Sequence, residues 1–163
     1  MKDRDLRARS SHCAEAGARA TVEDVDIVDQ RVPLCVAAHH LAAAGKSLST
    51  GGNLSVRVGD HVLVTPSGAR LDSVQPGQLV VVDMNGTVVV ETRYRPTAEL
   101  QFHLDLYRST SASAIAHAHP LASVAVSAIT EVLPPIHYDA AMVGGSVRVA
   151  PYAVSYTHLT LPT

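Results

Sequence analysis

The chain has 163 residues, 47% of them apolar and 17% charged, a balance that suits one domain with a buried core and excludes a disordered chain. Thirteen Lys and Arg against fifteen Asp and Glu give a net charge of −2, and aromatic residues make up only 4%, with no Trp. A broadly basic nucleic-acid binder and a base-stacking platform are excluded by these numbers.

Cys13 and Cys35 form neither a CxxC motif nor a disulfide framework, so a reducing, cytoplasmic setting is expected. The longest stretch free of acidic and basic residues, 109–130, holds His117, His119 and Pro120, and no membrane span is expected from it. Residues 1–22 are charged and lack an apolar run, which reads as a mobile tail and not as a secretory signal.

In chain order, Glu23 and Asp24 suit the first turn of a helix. Pro33 suits the first position of a further helix, running to about Ala44 and stopped by Gly45. Gly51-Gly52-Asn53 leads into a strand over Ser55 to Val58, and a second strand, His61 to Val64, ends in Thr65-Pro66-Ser67-Gly68. Leu79 to Asp83 and Thr87 to Glu91 are β-branched runs, and Asn85-Gly86 between them predicts a tight hairpin. Thr97 is expected to cap a helix to about Arg108, with Leu100, Leu104 and Tyr107 as its apolar stripe. Ala114 to His119 alternates as a strand, Pro120 breaks it, and Leu121 to Ile129 reads as a helix. Pro134-Pro135 marks a loop and Ser146 to Ala150 a last strand. The expected class is α/β (α+β), a sheet covered by helices.

The last ten residues, VSYTHLTLPT, resemble a translated sequencing adapter. Native sequence is expected to stop near Tyr152 or Ala153, and His158 carries no weight as a ligand.

The strongest chemical signal is His117-Ala118-His119. On a strand, residues i and i+2 share a face, and two steps put the imidazole bases about 6.6 Å apart. Two such rings can converge on one ion at about 2.0–2.1 Å from each nitrogen. Glu99, in the first turn of the preceding helix, is either a third ligand or a base beside the ion, and His103 shares its helix face. Gly51-Gly52-Asn53 and Ser67-Gly68 are small-residue loops at strand ends, where backbone N–H groups can approach an anion. Lys2 and Lys46 are the only lysines, and neither sits in a setting that suggests a Schiff base.

In order and spacing, several motifs resemble the class II aldolase/adducin family over about Val32 to Ala153. They are Gly51-Gly52-Asn53-Leu54-Ser55-Val56-Arg57, Thr65-Pro66-Ser67-Gly68, Pro96-Thr97-Ala98-Glu99 with His103 and Tyr107, and His117-Ala118-His119. Ile136-His137-Tyr138, Gly144-Gly145 and Ala150-Pro151-Tyr152 extend the match. The resemblance is strongest to the branch that cleaves L-fuculose-1-phosphate-like ketose 1-phosphates to dihydroxyacetone phosphate and an aldehyde.

The resemblance implies a three-layer α/β/α fold with a central, largely antiparallel sheet over residues 23–153, assembled as a homotetramer. It implies Zn2+ held by His117 and His119, with Glu99 at the metal and as acid/base, and Tyr138 as a catalytic tyrosine reaching a neighbouring subunit's site. It assigns the substrate phosphate to Gly52, Asn53, Ser67, Gly68, Thr97 and Ala98. The family usually carries two serines where Thr97 and Ala98 stand, so Ala98 keeps only its backbone N–H for that task. A third zinc histidine is expected well downstream, and the chain as written is therefore expected to be inactive. Relatives that act as 4-epimerases typically carry Asp where Glu99 stands, whereas decarboxylases and dehydratases keep Glu; a non-catalytic adducin-like domain tends to lack the histidine pair.

Overall fold

Continuous apolar runs at 62–64 and 79–82 make strands that must bury both faces, and they do so in an antiparallel sheet. The computed structural model describes residues 22–142 and 144–151; the rest of the expected N-terminal tail and the 154–163 segment lie outside the described residues. The sheet is built from β1 (Asn53–Val58), β2 (His61–Val64), β3 (Val80–Asp83) and β4 (Ala114–His117), in the order β3-β2-β1-β4. Gly59, at φ 58°, supplies the left-handed conformation that the two-residue β1–β2 loop needs.

Two helices cover the sheet, one on each face. The helix α1 (Val22–Ala43) lays Ile27, Leu34, Cys35 and Ala38 on Leu54, Leu63 and Val81. The helix α2 (Leu100–Ser109) packs Leu104 and Tyr107 on Val62, Val64, Val80 and Val82. Neighbouring strand residues thus belong to different cores, giving the expected three-layer arrangement. Arg31 ties α1 to the turn Pro76–Gln78 by donating to the carbonyls of Pro76 and Leu79 at 2.9 and 3.0 Å.

Four expectations shift. Pro33 does not start a second helix; it lies inside α1. It has no N–H for the carbonyl of Asp29, but the buried stripe from Ile27 to Ala38 holds the helix to the sheet on both sides of it. The stop at Gly45 is as expected: the N–H groups of Gly45 and Lys46 close on the carbonyls of Ala42 and Leu41, and Gly45 sits at φ 68°. The Asn-Gly turn forms, but Thr87 to Glu91 is not a strand. Asp83 Oδ1 accepts the N–H groups of Asn85 and Thr87, only Val88 bridges back to Val82, and Val88 to Val90 stay exposed. Thr97 does not cap the helix; it closes a local turn two residues before the cap. Its hydroxyl accepts the Glu99 N–H at 3.3 Å, and α2 begins at Leu100 with Glu99 as its first flanking residue. Finally, β4 ends at His117, so His119 lies beyond the strand.

After β4 the chain forms α3 (Leu121–Ser127), β5 (Val132–Leu133), α4 (Asp139–Met142) and β6 (Val147–Arg148), with β5 and β6 paired apart from the main sheet.

Candidate active site

Antiparallel pairing brings the start of β1, the end of β2 and the end of β4 to one end of the sheet. Asn53 lies opposite His117, and Ser55 lies between Val64 and Ile115. Strand alternation puts Asn53, Ser55, Ile115 and His117 on the face covered by α2. The start of α2 arrives at the same end, because the Thr97 N–H donates to Thr65 O at 3.1 Å and the Ser67 N–H to Arg95 O at 2.9 Å.

Glu99, His117 and His119 meet there. Glu99 Oε2 is 3.1 Å from His117 Nε2, and the two histidine Nε2 atoms are 2.8 Å apart. The three ligand atoms all lie within 4.8 Å of one another. Around a tetrahedral ion with bonds of about 2.0–2.1 Å, ligand atoms stand about 3.3 Å apart, so a small opening of the cluster fits one. Two imidazole nitrogens and a carboxylate oxygen are a donor set for a borderline divalent metal. His119 reaches the cluster from the loop, its ring at 82° to that of His117 and 4.7 Å from it. Burial pushes the His117 pKa down; the Glu99 carboxylate opposes this and His119 adds to it. The neutral imidazole so favoured is the form that binds a metal.

Behind the cluster runs a polar array that the sequence reading missed. Asn53 Nδ2 donates to Glu99 Oε2 at 2.6 Å, and Asn53 Oδ1 meets His103 Nε2. His103 Nδ1 is 2.7 Å from Ser55 Oγ, which is 2.7 Å from the Tyr107 hydroxyl. Ser55 and His103 are fully buried. Burial, with the neighbouring His117 charge, pushes the His103 pKa down to about 4, against a smaller upward pull from Glu99. The spacing of Glu99 and His103 along one helix face was visible in the sequence; their shared partner, 46 and 50 residues away, was not.

Of the residues assigned to the phosphate, Gly52 packs on the carbonyl of His117 and Asn53 has both ends of its amide engaged. Ser67 is exposed and Gly68 takes φ 71°, in a loop beside a cleft of about 210 Å³ that Arg70 and Tyr94 also line. Thr97 is buried, and Ala98 beside it is exposed. Tyr138 is 76% exposed against His137, outside the Glu99–His117–His119 cluster.

The family model for the Class II Aldolase and Adducin N-terminal domain matches residues 32–160. The chain belongs to the class II aldolase and adducin family. It is 36% identical over 121 residues to a 5-methylthioribulose-1-phosphate/5-deoxyribulose-1-phosphate aldolase of Rhodospirillum rubrum, covering 72% of this chain and 53% of that one. It is 38% identical over 111 residues to the L-fuculose phosphate aldolase of Escherichia coli K12, covering 67% and 51%. A solved L-fuculose 1-phosphate aldolase superposes with a TM-score of 0.72 at 35% identity, over 77% of this chain and 60% of that one. The chain thus spans about half the length of the curated class II aldolases that it matches. Class II aldolases are metal-dependent, and Glu99, His117 and His119 form a group that could hold a metal ion. Among the described residues no helix is long and apolar enough to cross a membrane.

Proposed function

We propose that the full-length protein is a cytoplasmic, zinc-dependent aldolase that cleaves a ketose 1-phosphate of the L-fuculose 1-phosphate type to dihydroxyacetone phosphate and an aldehyde. The observation that carries this reading is the meeting of Glu99, His117 and His119 beside the Gly51-Gly52 loop at one end of the sheet. His117, His119 and Glu99 would hold the zinc, which when bound supplies Lewis-acid stabilisation of negative charge on the substrate oxygens.

The chain's own residues bind, orient and move protons. Gly52, Ser67, Gly68, Thr97 and Ala98, with Asn53, would hold the phosphate so that C3 of the sugar lies beside Glu99. In cleavage the C3–C4 bond breaks and its electron pair stays with C3. The C4 hydroxyl gives up its proton as the aldehyde forms, and Glu99 delivers the proton that makes C3 the hydroxymethyl carbon of dihydroxyacetone phosphate. Tyr138 of a neighbouring copy in a homotetramer would exchange the proton on the aldehyde oxygen, a role that its exposure permits.

The test is release of dihydroxyacetone phosphate by the full-length protein from L-fuculose 1-phosphate and related ketose 1-phosphates. Release that stops on chelation and returns with zinc is expected. No release from any of them by zinc-loaded protein, or a 4-epimer as the product, would overturn the aldolase reading.

A further inference from the structure

His103 has no place in the proposed metal cluster or among the phosphate loops, yet it is fully buried and both of its ring nitrogens are in polar contact. The identity of each contact is forced in turn. An ionised carboxylate only accepts, so the Asn53 atom 2.6 Å from Glu99 is the NH2 group. The other end of that amide is then its oxygen, which also only accepts, so His103 Nε2 must carry the hydrogen. In a neutral ring Nδ1 is then bare and accepts from the Ser55 hydroxyl. Ser55 has one hydrogen, already directed at His103, so the Tyr107 hydroxyl donates to Ser55. Every donor in the array, from Tyr107 through Ser55, His103 and Asn53, points toward Glu99.

We propose that His103 is a positioning residue: with Ser55 behind it, its Nε2–H locks the Asn53 amide in the orientation that keeps an N–H on Glu99. The inference rests on Glu99 as the proton-transfer group. A reversed Asn53 would set its oxygen against the carboxylate, two acceptors face to face. His103 opposes that reversal, because the opposite tautomer would be needed and Ser55 holds the ring in the present one. Burial keeps the ring neutral at physiological pH, so the lock does not open with ordinary changes of acidity.

The test compares His103→Leu, which removes both nitrogens, with His103→Gln, whose amide can restore an N–H facing Asn53 Oδ1. The first measurement needs no substrate. In the full-length protein, side-chain 1H–15N spectra should show His103 as the Nε2–H tautomer and the Asn53 amide protons as protected from exchange. Protection should fall by about tenfold or more in His103→Leu and recover in His103→Gln. The second measurement is exchange of a C3 proton of dihydroxyacetone phosphate with solvent, the reverse of the protonation assigned to Glu99. Its kcat should fall by about tenfold or more in His103→Leu with KM nearly constant, and recover in His103→Gln. An Nδ1–H tautomer in the wild-type protein, or wild-type Asn53 protection in His103→Leu, would overturn the proposal. If His103→Leu does not fold, His103→Phe, which also removes both nitrogens but keeps a ring in the buried site, makes the same decision: loss of Asn53 amide protection supports the lock and wild-type protection refutes it. A wild-type protein without turnover would overturn the role of Glu99, and the tautomer and amide measurements would still decide the lock.

Discussion

A side chain on Gly52 would put its Cβ 3.1 Å from the carbonyl oxygen of His117. The same atom would lie 2.6 Å from Ser47 Oγ and 3.0 Å from a Leu71 methyl carbon. The strand that carries His117 is therefore seated against a loop with no spare room, and the position of the metal-ligand pair depends on that close approach.

Gly52→Ala should consequently destabilise the protein by about 1–3 kcal/mol, the usual cost of overpacking a filled site. A thermal melt should show the loss as a fall in Tm of several degrees. An unchanged Tm would mean that the loop moves aside freely.

His117→Ala and His119→Ala should each reduce zinc retained after dialysis by well over about tenfold, since each removes one of three converging donors. Metal analysis of the purified full-length variants checks this. Stoichiometric zinc in the double variant would place the metal elsewhere.

Glu99→Gln should keep the fold, because its amide still reaches Asn53, while exchange of the C3 proton of dihydroxyacetone phosphate with solvent slows by about 10²-fold or more. Wild-type exchange in this variant would assign the proton transfer to another group.

Acid should weaken the metal-free fold before its carboxylates titrate. The His103 pKa drops from 6.5 to about 4 on folding, so between these values the unfolded chain binds a proton that the folded chain refuses. Stability therefore rises with pH across this window and is lost as pH falls, by up to about 3 kcal/mol. His117, lowered as well, acts in the same direction. Urea titrations at pH 7 and pH 4.5 should show a smaller difference in His103→Gln than in the wild-type protein; equal differences would remove His103 as the cause.

Arg31→Met should cost about 1–3 kcal/mol by leaving the carbonyls of Pro76 and Leu79 without their charged donor. The denaturation midpoint should fall with the denaturant dependence unchanged, and a midpoint equal to wild type would show that water replaces the guanidinium without loss.

What the sequence made legible was local. The strand His61–Val64 and the stop at Gly45 were both readable, because one depends on a short apolar run and the other on a positive φ. Pro33 misled because the rule for prolines concerns the helix alone, whereas the buried stripe from Ile27 to Ala38 acts from outside it. Thr87 to Glu91 misled because β-branched composition says nothing about a covering layer. At the site, Glu99, His117 and His119 could be paired on spacing and resemblance. The link from Asn53 to His103 could not, since it exists only once Asn53 lies opposite His117 and α2 crosses that face.

The edge position of β4 has a kinetic consequence. Strands β1 to β3 pair with one another over shorter separations and supply Leu54, Leu63 and Val81 to one core and Val62, Val64, Val80 and Val82 to the other, whereas among the described residues β4 pairs with β1, across about sixty residues of intervening chain. Closing that loop costs entropy before any contact repays it, so the zipper of β1 to β3 can form without it. A slip of one residue in the late pairing would turn His117 to the opposite face of the sheet, away from Glu99. Register of this one pairing thus decides whether the ligand cluster exists: β1 to β3 can be packed on both helices while the chain stays chemically blank, until β4 docks with Asn53 opposite His117.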